Sequence, residues 1–235
     1  MLVRSRMTAD VVTASPGTTI AEALSLTRKH RIRHLPIVAD DRLVGLVTDR
    51  DLRLAMPPIW AEHHDDELRD ALRSKTVAEF MVTSIVTITP EAPIEQAARL
   101  LYEHKIGCLP VMSDDRLVGI LTETDVLRSF VELFGGGQPS SRLEIRLTNR
   151  PGELARVVRT IGIDYKVNIT GMVVPPLAGS TDSVAIVHVQ TLNPTPLIEQ
   201  LRKLGYQVGW PALDLDETPE LEEPEEKRQY WAEVY

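Results

Sequence analysis

The sequence predicts an α+β chain made of three small units, and three observations point to it. A shift of 74 residues lays Met7–Arg53 onto Met81–Leu127 without a gap, with about 19 of 47 positions identical. A Leu133-Phe134-Gly135-Gly136-Gly137-Gln138-Pro139-Ser140-Ser141 stretch then interrupts the chain, since three glycines and a Pro-Ser pair resist regular structure. Beyond that break, short alternating and helical stretches follow in the order βαββαβ.

Each copy of the repeat reads as strand, helix, strand, strand, helix. A β-branched stretch (Val11-Val12-Thr13, Ile85-Val86-Thr87) opens the copy and a proline-bearing turn follows. An amphipathic helix comes next, over Thr19–His30 and Pro93–His104, with Ile20, Ala23, Leu24 and Thr27 at helical spacing in the first. In the first copy two apolar runs, Leu35–Val38 and Leu43–Val47, flank an Asp-Asp-Arg turn as a hairpin, and a second helix begins at Thr48. One copy is too small to bury both of its faces, so the two should pack on each other about a pseudo-twofold axis. The first copy is assigned to 1–60 and the second to 81–132, with the helical stretch at 64–80, inside the 61–80 connector, carrying the chain between them.

After the linker at 133–141, strands are expected at Arg142–Thr148, Val167–Val174, Ser183–Gln190 and Tyr206–Trp210. Helices are expected at Pro151–Gly162, with proline in the first turn and glycine at its close, and at Pro196–Leu204. The order βαββαβ over 142–210 implies an antiparallel sheet with both helices on one face. The segment 211–235 is acidic and broken by prolines, which fits a solvated tail; its Tyr230, Trp231 and Tyr235 leave open a peptide that docks on a partner subunit.

Composition narrows the function classes. With 43% apolar and 26% charged residues the chain is ordinary globular protein. No apolar run approaches the roughly 20 residues of a membrane span, and the opening MLVRSRMTAD lacks a secretory core, so a cytoplasmic protein with no membrane partner is expected. The net charge is −8, of which residues 211–235 supply −7, from nine acids and two bases; the remainder is therefore close to neutral at −1. Such a body offers no broad cationic field, and a nucleic-acid partner is not expected. A single cysteine, Cys108, excludes an internal disulfide.

The repeat carries Gly45-Leu46-Val47-Thr48-Asp49-Arg50-Asp51 and Gly119-Ile120-Leu121-Thr122-Glu123-Thr124-Asp125, each following a Leu-Pro-[Ile/Val]. A threonine that ends a strand and opens a helix stands where unpaired amides and the helix dipole favour an anion, and a carboxylate three residues on can accept both hydroxyls of a ribose. Thr-x-x-Asp is equally a capping box that satisfies only itself. With the Leu-Pro and the 74-residue period, the pattern over about residues 1–132 resembles a tandem pair of cystathionine-β-synthase (CBS) domains, a module that commonly senses adenine nucleotides.

The resemblance implies two sites, each joining the Thr and Asp of one copy to the first stretch and pre-Leu-Pro residues of the other. One would use Thr122, Asp125 and Ile120 with Asp10, Val12, Ile32, Arg33 and His34; the other Thr48 and Asp51 with Ser84, Val86, Ile106 and Gly107. Arg33 and His34 stand where related modules reach phosphates, with Arg31 nearby, whereas the second copy has Gly107 and Cys108 there. Guanidinium forks suit phosphate, so the Asp125 site should prefer a phosphorylated ligand such as AMP or ATP, while the Asp51 site is empty or holds an uncharged adenosine moiety. The alternative for Arg31, Arg33 and His34 is a solvated basic helix end.

Asn149-Arg150-Pro151-Gly152-Glu153-Leu154, at the first strand-to-helix turn of the third unit, resembles the [Asp/Asn]-x-Pro-Gly-x-Leu signature of ACT domains, a ferredoxin-like fold. That resemblance implies dimerisation, or binding of an amino acid or similar effector at Asn149, Pro151, Gly152, Glu153 and Leu154. A CBS pair followed by an ACT domain is similar to acetoin-utilisation B-type regulators, which implies a homodimer acting in carbon metabolism. No catalytic spacing appears among His30, His34, His63, His64, His104 and His188, and His63-His64-Asp65-Asp66-Glu67 reads as a polar helix start, so neither an enzyme nor a metal is expected.

Overall fold

A computed structural model describes residues 1–55, 75–134, 139–148, 150–175 and 182–210. Most of the expected connector with its His63–Glu67 cluster, residues 135–138 of the glycine linker, Asn149 and the acidic tail lie outside the described residues. The chain divides into two compact units, Met1–Phe130 and Val131–Tyr235.

The first unit contains the repeat. Copy one has α1 (Ile20–His30), β1 (His34–Ala39), β2 (Arg42–Thr48) and α2 (Asp49–Ala55). Copy two has α3 (Ile94–His104), β3 (Cys108–Ser113), β4 (Arg116–Thr122) and α4 (Glu123–Leu133). Thr19 caps α1 in a full capping box with Glu22, whereas Pro93 starts α3 without a side-chain cap. Both helices end on a left-handed residue, Arg31 at φ 54° and Lys105 at φ 53°. Each hairpin turns on an Asp-Asp pair with both φ values positive, 48° and 61° in either copy, the requirement of a type I′ turn that matches strand twist.

The opening strand expected in each copy shrinks to one residue. Ala14 bridges Ile37 and Ile88 bridges Val111, both in parallel, and each forms two hydrogen bonds to its hairpin. Pro16 and Pro90, two residues farther on, have no amide to continue the ladder. The connector also departs from expectation, since Val77–Glu79 is a 3-10 turn rather than α-helix.

That turn marks an exchange of leading segments between the copies. Val77 is fully buried in the core of copy one with Ile20, Leu35, Ile37 and Leu52, while Val3 is fully buried in the core of copy two with Ile94, Leu109, Val111 and Leu121. Thr8 bridges Ile120 and Val82 bridges Leu46, so each β2-type strand is paired along its outer edge by the segment preceding the other copy's first stretch. Gly45 and Gly119 make this approach possible: a Cβ at Gly45 would meet Met81 Sδ at 2.2 Å, and one at Gly119 would meet Met7 Sδ at 2.6 Å.

The second unit contains β5 (Ser141–Thr148), α5 (Glu153–Arg159), β6 (Ile169–Val173), β7 (Asp182–Val189), α6 (Thr195–Lys203) and β8 (Gln207–Gly209). The expected βαββαβ order holds, in a four-stranded antiparallel sheet ordered β6-β7-β5-β8. Alternate residues Leu143, Ile145 and Leu147 of β5 and Ala185, Val187 and Val189 of β7 share one core with Val157, Ile161, Leu197 and Leu201 of the helices, which puts both helices on one face. Gly162 does not close α5 as expected; it lies within a π-helical turn, Thr160–Asp164, and the left-handed residue is Lys166 at φ 53°. Among the described residues no helix is long and apolar enough to cross a membrane.

Candidate functional site

In both copies the Thr-x-x-Asp motif forms a complete capping box. Thr48 Oγ1 donates to Asp51 Oδ2 at 2.6 Å and Thr48 N at 3.1 Å, while Asp51 N donates back to Thr48 Oγ1 at 3.2 Å. The second copy repeats this, with Thr122 Oγ1 and N donating to Asp125 Oδ2 at 2.6 and 2.8 Å. Both motifs are only part-buried. One carboxylate oxygen closes each cap, which leaves Oδ1 of both Asp51 and Asp125 without a hydrogen bond among the described residues. The capping and ribose-binding readings therefore do not compete for the same atom.

Each motif borders a cleft on the seam between the copies. The cleft at Asp125 encloses about 280 Å³. From copy two it takes Ile120, Thr122, Thr124 and Asp125, and from copy one Thr8, Asp10, Val11 and Val12 before α1 and Arg31, Ile32, Arg33 and His34 after it. Every residue that the resemblance assigned to this site lines it. Arg33 Nη2 reaches Thr124 Oγ1 at 3.4 Å, across the seam.

The cleft at Thr48 encloses about 250 Å³. Ser84, Val86, Ile106 and Gly107 line it as expected, with Leu46, Val82, Ile85, Lys105, Cys108 and His34. Asp51 is not among its lining residues and stands one hydrogen bond behind Thr48. Sequence reasoning missed Thr8, Thr124, Leu46, Val82 and Lys105, and the appearance of His34 in both clefts. Lys105 was recoverable from the period, as the repeat counterpart of Arg31.

The electrostatics of the two clefts differ. Burial, followed by the neighbouring Arg33 cation, holds the His34 imidazole below its ordinary pKa, against the pull of Asp49, Glu123 and Asp51. Burial pushes the Cys108 thiol up to about 12, so it stands as a neutral, inert wall. Among the described residues no cluster of His, Cys, Asp or Glu has the makings of a metal site.

The Pro151-Gly152 turn divides into an exposed and a packed part. Gly152 takes φ 92° before α5, and Pro151 and Gly152 are exposed. Glu153, however, accepts a hydrogen bond from Tyr206 Oη at 2.9 Å and pairs with Arg156, and Leu154 packs against the core of the second unit. Both side chains are thereby tied to the packing of the second unit.

The CBS domain family matches residues 3–58 and 77–132, once in each copy. The chain is 35% identical over 144 residues to a CBS domain-containing protein of Dictyostelium discoideum, an overlap of 60% of this chain and 99% of that protein. Among solved structures, a candidate acetoin utilization protein from Vibrio cholerae is 31% identical with a TM-score of 0.47, covering 57% of this chain and 92% of that one. CBSX2, solved in complex with AMP, is 32% identical with a TM-score of 0.47 over 55% of this chain and 96% of that one. With a paired match in register with the internal repeat, and a relative spanned almost end to end, the chain belongs to the CBS-domain family.

Proposed function

We propose that this protein is a regulatory adenine-nucleotide sensor: the CBS pair takes AMP or ATP in its seam clefts and passes the occupancy on through its own dimer contacts. The observation that carries this is the cleft at Asp125. A free carboxylate oxygen, a part-buried threonine at a strand-to-helix junction, apolar walls from Val12 and Ile32 and the side chains of Arg31 and Arg33 face one cavity. A carboxylate matches a ribose diol, the apolar walls match a purine, and the guanidinium forks match a phosphate. The protein acts by binding, with no catalytic step, in the cytoplasm and as a homodimer.

The second unit would serve dimerisation or hold an amino-acid-like effector. Its ferredoxin-like strand order and the Pro151-Gly152 turn support an ACT assignment. A role in acetoin or central carbon metabolism rests on domain order alone. The complete capping boxes favour one second reading, an architectural dimeriser that binds no nucleotide.

Thermal melts with AMP, ADP, ATP and adenosine separate the two. A ligand at 100 times its dissociation constant adds about 2.7 kcal/mol to the folded state. The sensor reading expects an upward shift with a phosphorylated member that shrinks in Asp125→Ala. No shift with any member would leave the dimeriser.

A further inference from the structure

We propose that His34 is a ligand-contacting side chain common to both clefts, so that filling one cleft weakens binding in the other. This deepens the nucleotide reading and rests on it. The geometry comes from a broken symmetry. Under the 74-residue period, Arg33 corresponds to Gly107 and His34 to Cys108. A Cβ placed on Gly107 would lie 2.7 Å from His34 Nε2 and 3.1 Å from its Cε1, so the imidazole occupies the room that a side chain at 107 would need. The missing side chain of copy two is replaced by one reaching over from copy one.

The consequence is that His34 borders both cavities, whereas its counterpart Cys108 borders one. Cys108 is 2% exposed and too short to answer across the seam. Were the copies true images, each cleft would have its own imidazole; here a single ring serves two.

A ring in that position cannot satisfy two ligands at once. Burial and Arg33 favour its neutral form, opposed by Asp49, Glu123 and Asp51, and a neutral imidazole has one N–H to donate. A nucleotide phosphate drawn to Arg31 and Arg33 in the Asp125 cleft competes for that donor with any ligand at Gly107. Where AMP is driven into both clefts, the two phosphates flanking the ring also repel each other. Both effects have the same sign, and linkage makes the coupling reciprocal.

The test uses AMP and the full chain. The affinity of the Thr48 cleft with its neighbour unfilled is read in Asp125→Ala, at AMP concentrations too low to fill the weakened Asp125 cleft, and compared with the second binding step of the wild type, where the Asp125 cleft is already full. The second step should be weaker than the isolated cleft by about 5- to 150-fold, the usual range of site-to-site coupling. In His34→Ala the two values should coincide; His34→Asn, shorter but still polar, covers the case in which alanine disturbs folding. A second step equal to the isolated cleft in wild type, a gap that persists without the ring, or an Asp125→Ala chain that binds no AMP while wild type binds one, overturns the proposal. Absence of AMP binding by every chain overturns the nucleotide reading itself, and is recognised by the missing first step.

Discussion

The two copies of the repeat share a backbone and divide in chemistry. Their helix ends, hairpin turns and capping boxes agree to within a few degrees and tenths of an ångström. At the entry to the hairpin they part, with Arg33 and His34 in one and Gly107 and Cys108 in the other. The lesson is that the repeat preserves what folding needs, while positions within it that differ give the two clefts unlike linings. A pair of identical clefts could report only concentration; unequal ones can rank ligands.

The largest effect should come from the shared scaffold. Leu121 and Leu109 are fully buried in copy two, as Leu35 is in copy one. Leu121→Ala removes core methyls and leaves a cavity, at a cost of about 2–5 kcal/mol in chemical denaturation. If copy one keeps its far-ultraviolet signal while copy two melts, the copies are less interdependent than the exchanged Val3 and Val77 segments imply.

The comparison is sharpened next by ligand contacts. Asp125→Ala should weaken AMP by about 10- to 150-fold, the span of a hydrogen bond to a charged partner worth roughly 1.5–3 kcal/mol. Asp51→Ala should cost less, since Asp51 stands behind Thr48 and does not line its cleft. Equal losses would erase the proposed inequality. Arg33→Ala should lower AMP affinity by about tenfold and leave adenosine nearly unchanged, because the guanidinium is assigned to phosphate. An equal loss for both ligands would move Arg33 from phosphate to general packing.

A smaller effect concerns acid. The folded pKa of His34 lies below its unfolded value near 6.5, so the unfolded chain takes up the proton first. Its contribution is therefore complete above about pH 6.5 and lost as pH falls through the folded value. Unfolding free energy between pH 7 and pH 5 should fall less steeply in His34→Ala than in wild type. Smallest of all, Cys108, with its thiol at about 12 and 2% exposed, should resist iodoacetamide at pH 8 until denaturant is added.

Much of this was legible in the chain, for reasons that can be named. Thr19 with Glu22, the Asp40-Asp41 turn and the alternation of Leu143, Ile145 and Leu147 are local signals, and they placed α1, the β1–β2 hairpin and β5 within a residue or two. The period then set the two copies face to face, because each must bury its open side, and the CBS resemblance assigned the residues along their seam. Three things were hidden. The exchange of Val3 and Val77 is a long-range pairing with no local signature. The single-residue bridges at Ala14 and Ile88 are set by prolines whose effect on ladder length the β-branched pattern masks. The reach of His34 into the space above Gly107 depends on a side chain that is absent, and a glycine in a sequence does not say which neighbour will use its room.

The central claim is that the seam between the copies receives an adenine nucleotide through the two Thr-x-x-Asp motifs. Calorimetric titration of AMP into the wild-type chain and into the Asp51→Ala/Asp125→Ala double variant addresses it most directly. The account predicts saturable heat in the first and binding at least about tenfold weaker in the second, with both chains folded by circular dichroism. Heat of equal size in both, or in neither, would contradict it.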